Sequence, residues 1–436
     1  MQRTLFALML ASCLLSPSLA QRPSRLVENQ LFLILRPGTS LGQVNELART
    51  VGGTVLVFYP TLREPRGIVV KGAQQQGQAP LEAPPPAVNL TAQASSLDPC
   101  GGALALIEVD GKNLAQALQE LRRNDLVLYG DPQSIGDDDG DEDYRPQMGA
   151  GGIIPPGKGG ASVTVAVLDN GATSGKVDVF NLRPGGYDFT TGVNGDPDAS
   201  EDPAPARLHG SAIASLIAGK NWGMAPQASI LPVRVCDENN ECLASNVVRG
   251  TCWAISQVSG NGSDPKALGN LVLNYSLGGE HPLESLRALL AYALRHGALV
   301  AASGGNEGRR GFGAPPHFPA YYAPEFGGFL AVAGLWPSPR QPGKWERWPF
   351  STIGPHLEIA APAVVPLLGQ VYRGTSYATG YVSGALALWR DACPNLSPAD
   401  IEARIARDAV RTLLVGTVYR QLVGQGMLHM PNPMDC

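Results

Sequence analysis

The sequence lacks a strong excess of charge of either sign. Its 436 residues carry 33 Lys and Arg against 38 Asp and Glu, which gives a formal net charge of -5. Nothing in that balance would draw the molecule to phosphate backbones or anionic lipids, so nucleic acid is not an expected partner. With 44% hydrophobic and 16% charged residues the composition is that of a globular protein, and its length predicts two or three domains.

Beyond residues 1–20, the sequence also lacks an apolar run long enough to cross a bilayer. Residues 1–20 themselves resemble a secretory signal, because Arg3 precedes an apolar run that ends in the small residues Ser18 and Ala20. A buried helix is the alternative, but polar residues follow the run and it stands at the N-terminus. We expect cleavage after Ala20 and a monomer without a membrane span, either secreted or periplasmic.

The cysteines lack the spacing with histidine that a metal site would need. Export permits disulfides instead. The cysteines outside the signal are Cys100, Cys236, Cys242, Cys252, Cys393 and Cys436. Cys236 and Cys242 flank a short polar loop that a bridge could close, and Cys436 could pair with Cys393, although spacing leaves the connectivity open. Cys252 precedes apolar residues of a predicted helix, so we expect it to remain a buried, unpaired thiol.

The region from 21 to 136 repeats a strand, helix, strand order. Its segments are 31–35, 41–51 and 54–59, then 104–109, 113–123 and 126–129. Two such units predict a ferredoxin-like α+β domain. Between them, a stretch at about 72–102 is rich in Gln, Pro, Ala and Ser, which favours a disordered surface insertion.

Residues 137–160 are predicted to form an acidic and Gly/Pro-rich linker. A calcium loop is the alternative there, although the spacing does not match an EF-hand. A second acidic loop, residues 192–203, could also bind a structural calcium ion. Its carboxylates are Asp196, Asp198, Glu201 and Asp202. We expect no cofactor or metal to be required for catalysis.

From 161 to 436 apolar strands alternate with helices, as in VTVAVLD, ILPVRV, NLVLNYSLGG, ALVAAS and FLAVAGL. Nearly continuous apolar strands between helices predict a mostly parallel sheet covered on both faces, a three-layer α/β sandwich. A dinucleotide-binding oxidoreductase would share this pattern. No GxGxxG follows the strand VTVAVLD, which argues against a phosphate turn.

Functional groups gather beyond the carboxyl ends of such strands. Asp169 closes VTVAVLD, His209 begins a helix of small residues, Asn306 follows ALVAASGG, and Ser376 begins another helix. Each alone has an ordinary structural interpretation, as a turn residue or a helix cap. His209 is favoured by its position over the histidines in loops, at a helix end or in the tail, which are His281, His296, His317, His356 and His429.

Together the four residues fit nucleophilic catalysis. Serine becomes a nucleophile when a base accepts its proton, and a carboxylate orients the base and stabilises the imidazolium. The order Asp169, His209, Ser376 is one of the known orders of such triads. Asn306 and the backbone N–H groups at the start of the serine-bearing helix could stabilise an oxyanion.

The motifs VAVLDNG, HGSAIASLIAG, NYSLGG, AASGGNEG and GTSYATGYVSG occur in that order between residues 163 and 390 and resemble the blocks of the subtilase family. The resemblance implies serine endopeptidase activity with Asp169, His209 and Ser376 as the triad and Asn306 in the oxyanion hole. Subtilases usually carry methionine where Tyr377 stands, and proline and histidine at Gly380 and Tyr381. We expect altered packing there with the chemistry intact.

The resemblance also implies a substrate cleft and a zymogen. The cleft residues would be Ser276, Leu277, Gly278, Ala302, Ser303 and Gly304. Polypeptide substrates would pair with them as an added strand. Residues 21–136 would be an inhibitory propeptide, which the enzyme removes by cutting between Gly130 and Gln147. A secreted pseudoprotease is the alternative, but the four candidate site residues argue against it.

Overall fold

The structure is a computed structural model. It describes residues 25–70, 98–109, 114–138, 159–192, 195–200, 208–259, 265–367, 370–415, 420–431, 434 and 436. The predicted signal, most of the predicted insertion and linker residues 139–158 lie outside these ranges. Within the described ranges, no helix is both long and apolar enough to cross a bilayer.

The N-terminal region forms an antiparallel sheet with two helices on one face. Its strands are β1 (Arg25–Leu35), β2 (Gly53–Tyr59), β3 (Ile68–Val69), β4 (Ala103–Val109) and β5 (Val127–Asp138), and its helices are α1 (Leu41–Thr50) and α2 (Leu114–Leu121). The strand order is β5-β1-β4-β2-β3. This is the predicted split pair of βαβ units.

The two faces of that sheet pack against different partners. Leu31 and Leu33 of β1 belong to a core with α1 and α2. Phe32 and Ile34 point to the opposite face, as strand alternation requires, and belong to a core that includes Val233 of the C-terminal region. Both faces of the N-terminal sheet are therefore buried.

The C-terminal region is built on a second, mostly parallel sheet. The strands of this region are β6 (Thr164–Asp169), β7 (Asn181–Leu182), β8 (Tyr187–Asp188), β9 (Ser229–Arg234), β10 (Glu241–Leu243), β11 (Leu271–Tyr275), β12 (Leu277–Gly278), β13 (Leu299–Ser303), β14 (Phe329–Pro337), β15 (Trp345–Arg347), β16 (Ile359–Pro362), β17 (Val364–Leu367) and β18 (Gln370–Arg373). Among them, β10 and β12 pair with β5, and β17 and β18 pair with each other. The main sheet has the order β15-β14-β13-β11-β6-β9-β7.

Helices cover both faces of this sheet. They are α3 (His209–Ala218), α4 (Ala244–Ser259), α5 (Glu284–Arg295), α6 (Thr375–Ala392), α7 (Pro398–Asp408) and α8 (Arg420–Val423). Val165 and Val167 of β6 pack in the core that contains α3 and α6. Ala166 and Leu168 pack in the core that contains α4 and α5. The predicted three-layer α/β sandwich is confirmed.

Glycines in α6 let it approach α3 closely. A Cβ at Gly384 would stand 2.6 Å from the Met224 Cβ and 3.0 Å from the Ile217 carbonyl oxygen. A Cβ at Gly380 would stand 3.2 Å from the Leu216 Cβ. The helices that begin at His209 and Thr375 are therefore packed side by side.

Strand β5 is longer than the segment predicted at 126–129. It extends to Asp138 and leaves its own domain to pair antiparallel with two strands of the C-terminal region. Gly136 lies opposite Cys242 of β10, and Asp138 lies opposite Leu277 of β12. Residues 137 and 138, which were assigned to the predicted linker, therefore belong to this strand.

Three disulfides join cysteines within the described ranges, and one contradicts a prediction. Cys236–Cys242 and Cys393–Cys436 are confirmed. Cys252 was expected to be a free thiol, which is wrong because it is bonded to Cys100. Cys100 lies in the turn Pro99–Gly101 and is 2% exposed, so the end of the predicted insertion is a packed part of the fold. Sequence position gave no sign that this turn lies against α4.

Two side chains of β5 cap helices of the C-terminal region. The Asp131 carboxylate accepts hydrogen bonds from the backbone N–H groups of Glu284 at 3.1 Å and Ser285 at 3.0 Å, at the start of α5. Gln133 donates to the Ser245 Oγ at 2.8 Å and accepts from the Ser245 N–H at 3.2 Å, at the start of α4. Burial raises the pKa of Asp131, and its hydrogen bonds oppose that shift.

We predict that Asp131→Ala lowers the free energy of unfolding by about 0.5–2 kcal/mol, the usual loss for a helix cap. The two N–H groups of α5 would lose their acceptor inside a buried contact. Denaturant unfolding in a Ser376→Ala background measures the effect without self-digestion. Asp125→Ala, at an exposed position nearby, is the control; equal stability of the two variants would contradict the capping role.

Candidate active site

A buried carboxylate and imidazole meet at the ends of β6 and α3. His209 Nδ1 lies 2.9 Å from Asp169 Oδ1 and 3.1 Å from Oδ2. Asp169 is completely buried and His209 is 4% exposed. With the Nδ1 proton directed at the carboxylate, the Nε2 atom of the neutral ring is left as the basic nitrogen.

The residues beside this pair fix its geometry. The Asn170 N–H donates to Asp169 Oδ1 at 2.8 Å, and the Gly210 N–H donates to the Asn170 Oδ1 at 3.1 Å. A Cβ on Gly210 would stand 1.9 Å from the Gly171 carbonyl oxygen and 3.1 Å from Asp169 Oδ1. Only glycine permits α3 to begin so close to the end of β6.

Ser376 is the second residue of α6 and is bound to the strand region before β12. Its Oγ donates to the Ser276 carbonyl at 3.0 Å, and the Ser276 Oγ donates to the Ser376 carbonyl at 3.0 Å. The next residue, Tyr377, contacts the His209 ring edge-on at a centroid distance of 5.3 Å. The start of α6 therefore lies against the histidine.

Asn306 lies in the loop after β13 and is also bound to α6. Its Oδ1 accepts hydrogen bonds from the Thr375 N–H and the Thr375 Oγ, both at 3.0 Å. The Gly305 N–H donates to the same hydroxyl at 3.2 Å. Because the amide oxygen is engaged by Thr375, the NH2 group is the end that can donate elsewhere.

The predicted cleft residues lie along β12 and β13. Leu277 and Gly278 form β12, which accepts β5 as an added antiparallel strand. Ser303 ends β13 and Gly304 follows it, and the Ser303 Oγ donates to the Leu277 carbonyl at 3.4 Å. Ala302 pairs within the sheet with Tyr275 and Ala331 and, like Ser276 and Ser303, is completely buried.

The profile of the subtilase family matches residues 160–428 of this sequence. The chain belongs to the subtilase family. Among its relatives, subtilisin NAT of Bacillus subtilis subsp. natto is 30% identical over 333 residues, covering 72% of this chain and 77% of the relative. Thermitase of Thermoactinomyces vulgaris is 29% identical over 272 residues, covering 60% and 85%. This subtilase is therefore a serine endopeptidase of the subtilisin type and acts on polypeptides.

A solved structure shares the fold. Fervidolysin from Fervidobacterium pennivorans, a keratinolytic enzyme related to subtilisin, aligns with a TM-score of 0.59 at 17% identity. The alignment covers 95% of this chain but 61% of fervidolysin. At that identity the likeness supports the architecture and nothing finer.

Tyr377, which stands where subtilases usually carry methionine, is accommodated by aromatic packing. The side chain is completely buried, with the Tyr372 ring at 5.3 Å and the His209 ring at 5.3 Å. Its aromatic ring therefore packs between strand β18 and the histidine. Tyr381 is also buried, at 2% exposure, and burial raises its pKa. Both tyrosines act as packing residues, as expected.

The sequence interpretation overlooked His317, which it assigned to a loop. The ring is 8% exposed and its Nε2 lies 3.4 Å from the Ser303 Oγ. A Cβ on Gly278 would stand 2.2 Å from that Nε2, and a Cβ on Gly305 would stand 3.0 Å from the His317 Cγ. The two glycines make room for the ring. They precede His317 by 39 and 12 positions, so no local pattern connects them.

The calcium prediction for residues 192–203 remains untested. Asp196 Oδ1 accepts from the Asp198 N–H at 2.8 Å, and Asp198 Oδ1 accepts from the Ser200 N–H at 2.9 Å. Hydrogen bonds from Ser200 lower the pKa of Asp198. Glu201 and Asp202 lie outside the described residues. Among residues that the structure does describe, no group of three or more His, Cys, Asp or Glu side chains could hold a metal ion.

The burial of His317 and His356 predicts that the stability of the folded protein is sensitive to acid. Burial, with the neighbouring His356, lowers the pKa of His317 to about 3, and burial lowers the pKa of His356 to about 4. In the unfolded chain both would titrate near the ordinary value of 6.5. Their neutral forms therefore contribute stability that is complete above about pH 6.5 and is lost as the pH falls toward the folded pKa values.

We expect the free energy of unfolding of the Ser376→Ala protein to fall with acid below about pH 6.5, by up to about 1.4 kcal/mol per pH unit for each histidine. His317→Asn should make that slope shallower. Denaturant titrations at a series of pH values measure it, with His429→Gln, at an exposed position, as the control. A slope that His317→Asn leaves unchanged would contradict the assignment.

Proposed function

We propose that Asp169, His209 and Ser376 form the catalytic triad of a secreted endopeptidase that is made as a self-processing zymogen. The observation that carries this proposal is the buried contact of 2.9 Å between His209 Nδ1 and Asp169 Oδ1, with the His209 ring against the residue that follows Ser376. These contacts bring together three residues that are separated by 40 and 167 positions in the sequence.

Substrate binding would use the edge of β12. An extended peptide pairs with Leu277 and Gly278 through backbone hydrogen bonds, which tolerate varied side chains. The Ser376 hydroxyl, which donates to the Ser276 carbonyl at 3.0 Å, turns about its χ1 bond toward His209 Nε2 for the reaction. The Ser276 carbonyl is then available to accept from the substrate backbone.

The chemistry proceeds in two stages. The Ser376 Oγ attacks the carbonyl carbon of the peptide bond while His209 Nε2 takes the hydroxyl proton, and Asp169 stabilises the imidazolium. The Asn306 NH2 group and the Ser376 backbone N–H stabilise the oxyanion. His209 gives its proton to the leaving amine, which departs and leaves an acyl-enzyme. Water, deprotonated by His209, then attacks the ester carbonyl. The bond to Ser376 Oγ breaks, His209 returns the proton to that oxygen, and the second product leaves.

The N-terminal region fits the role of an inhibitory propeptide. Strand β5 occupies the edge of β12 that a substrate would need, so a bound N-terminal domain competes with substrates. The proposed cutting window from Gly130 to Gln147 contains the end of β5, and residues 139–147 lie outside the described ranges. Processing there, after export to the periplasm or out of the cell, would begin the conversion of the zymogen into active enzyme.

We predict that Ser376→Ala and His209→Ala abolish nearly all casein hydrolysis, since each disables the same attack. Asn306→Ala should lower kcat by roughly 10² to 10³ with little change in KM, because its hydrogen bond matters chiefly in the transition state. A serine-directed phosphonate should label wild type but not Ser376→Ala.

The control for this experiment is His429→Gln, which should retain wild-type kcat. Unchanged circular dichroism spectra would show that the inactive variants fold. Hydrolysis by Ser376→Ala at the wild-type rate, in preparations free of other proteases, would refute the triad. An effect of Asn306→Ala on KM alone would refute its role at the oxyanion.

A further inference from the structure

A disulfide joins the N-terminal region to the region that carries the proposed triad. Cys100 lies before β4, and Cys252 lies within α4, 152 positions later. Both sulfur-bearing side chains are buried, with exposures of 2% and 0%, and their Cα atoms are 5.3 Å apart. The proposed cutting window, Gly130 to Gln147, falls between the two cysteines. A cut anywhere in this window leaves the two pieces covalently bonded.

Contacts around the bridge hold the same two surfaces together. The Arg249 guanidinium, one turn before Cys252, lies 4.1 Å from the centre of the Tyr59 ring and donates to the Pro65 carbonyl at 3.0 Å. Arg249 is 4% exposed and Tyr59 is 6% exposed. A tether across such an interface keeps the partners at an effective concentration in the millimolar range, so dilution cannot separate them.

We propose that the N-terminal domain stays on the processed protease as a disulfide-bonded second chain, a partner that continues to cover the edge of β12. This inference rests on the proposed self-processing. Release requires a dithiol reductant. The Cys100–Cys252 bond breaks, the two hydrogens of the dithiol end on the two cysteine sulfurs, and the dithiol is oxidised to its own disulfide.

The test uses the full chain as wild type, as Cys100→Ser/Cys252→Ser, and as Cys393→Ser/Cys436→Ser, a control that loses a disulfide elsewhere. Wild type and the control should give one band on a denaturing gel without reductant and two bands with it. The Cys100→Ser/Cys252→Ser pieces should separate without reductant, and their casein hydrolysis after dilution should exceed that of wild type at least tenfold. Separation of the wild-type pieces without reductant, or equal hydrolysis after dilution, would overturn the proposal.

A further variant tests the tether without relying on self-processing. Ser376→Ala, with residues 141–147 replaced by the recognition sequence of a site-specific protease, is cut by that protease. Pieces that stay joined until reductant is added support the tether even where wild type fails to cut itself. Pieces that separate at once refute the tether even where the proposed catalysis is correct.

Discussion

The close packing of α6 against α3 is the constraint on which the rest of the site depends. Both helices begin at the same edge of the parallel sheet, and their first turns carry Ser376 and His209. Gly380 and Gly384 allow the approach, because a side chain at either position would press on α3 or on the chain just after it. Gly210 does the same where α3 meets the end of β6. The absence of side chains at these glycines therefore sets the distances between the proposed triad residues.

One strand edge has two uses in this protein. Strand β12 offers backbone groups to an extended peptide, and β5 is the extended peptide that occupies it in the structure. Asp131 and Gln133, a few residues earlier in β5, cap two helices of the C-terminal region. The strand that pairs with β12 thus also caps helices of the C-terminal region. This arrangement is consistent with a propeptide that assists folding.

The buried histidine pair adds a cost that the chemistry does not require. His317 and His356 remain neutral because burial disfavours their charged forms. Apolar residues of similar size would avoid that cost.

The sequence by itself determined the alternation of strands and helices and the four candidate site residues, because each depends on local periodicity or a recognisable motif. It suggested two of the disulfides but left their connectivity open. The length of β5, the partner of Cys252 and the position of His317 were decided only by the tertiary structure. Strand β5 extends because β10 and β12 supply acceptors for its backbone, and Cys100 meets Cys252 because two domains share a core. His317 reaches the cleft through space left by glycines far from it in the chain. Contacts between distant segments carry no signal in either segment alone.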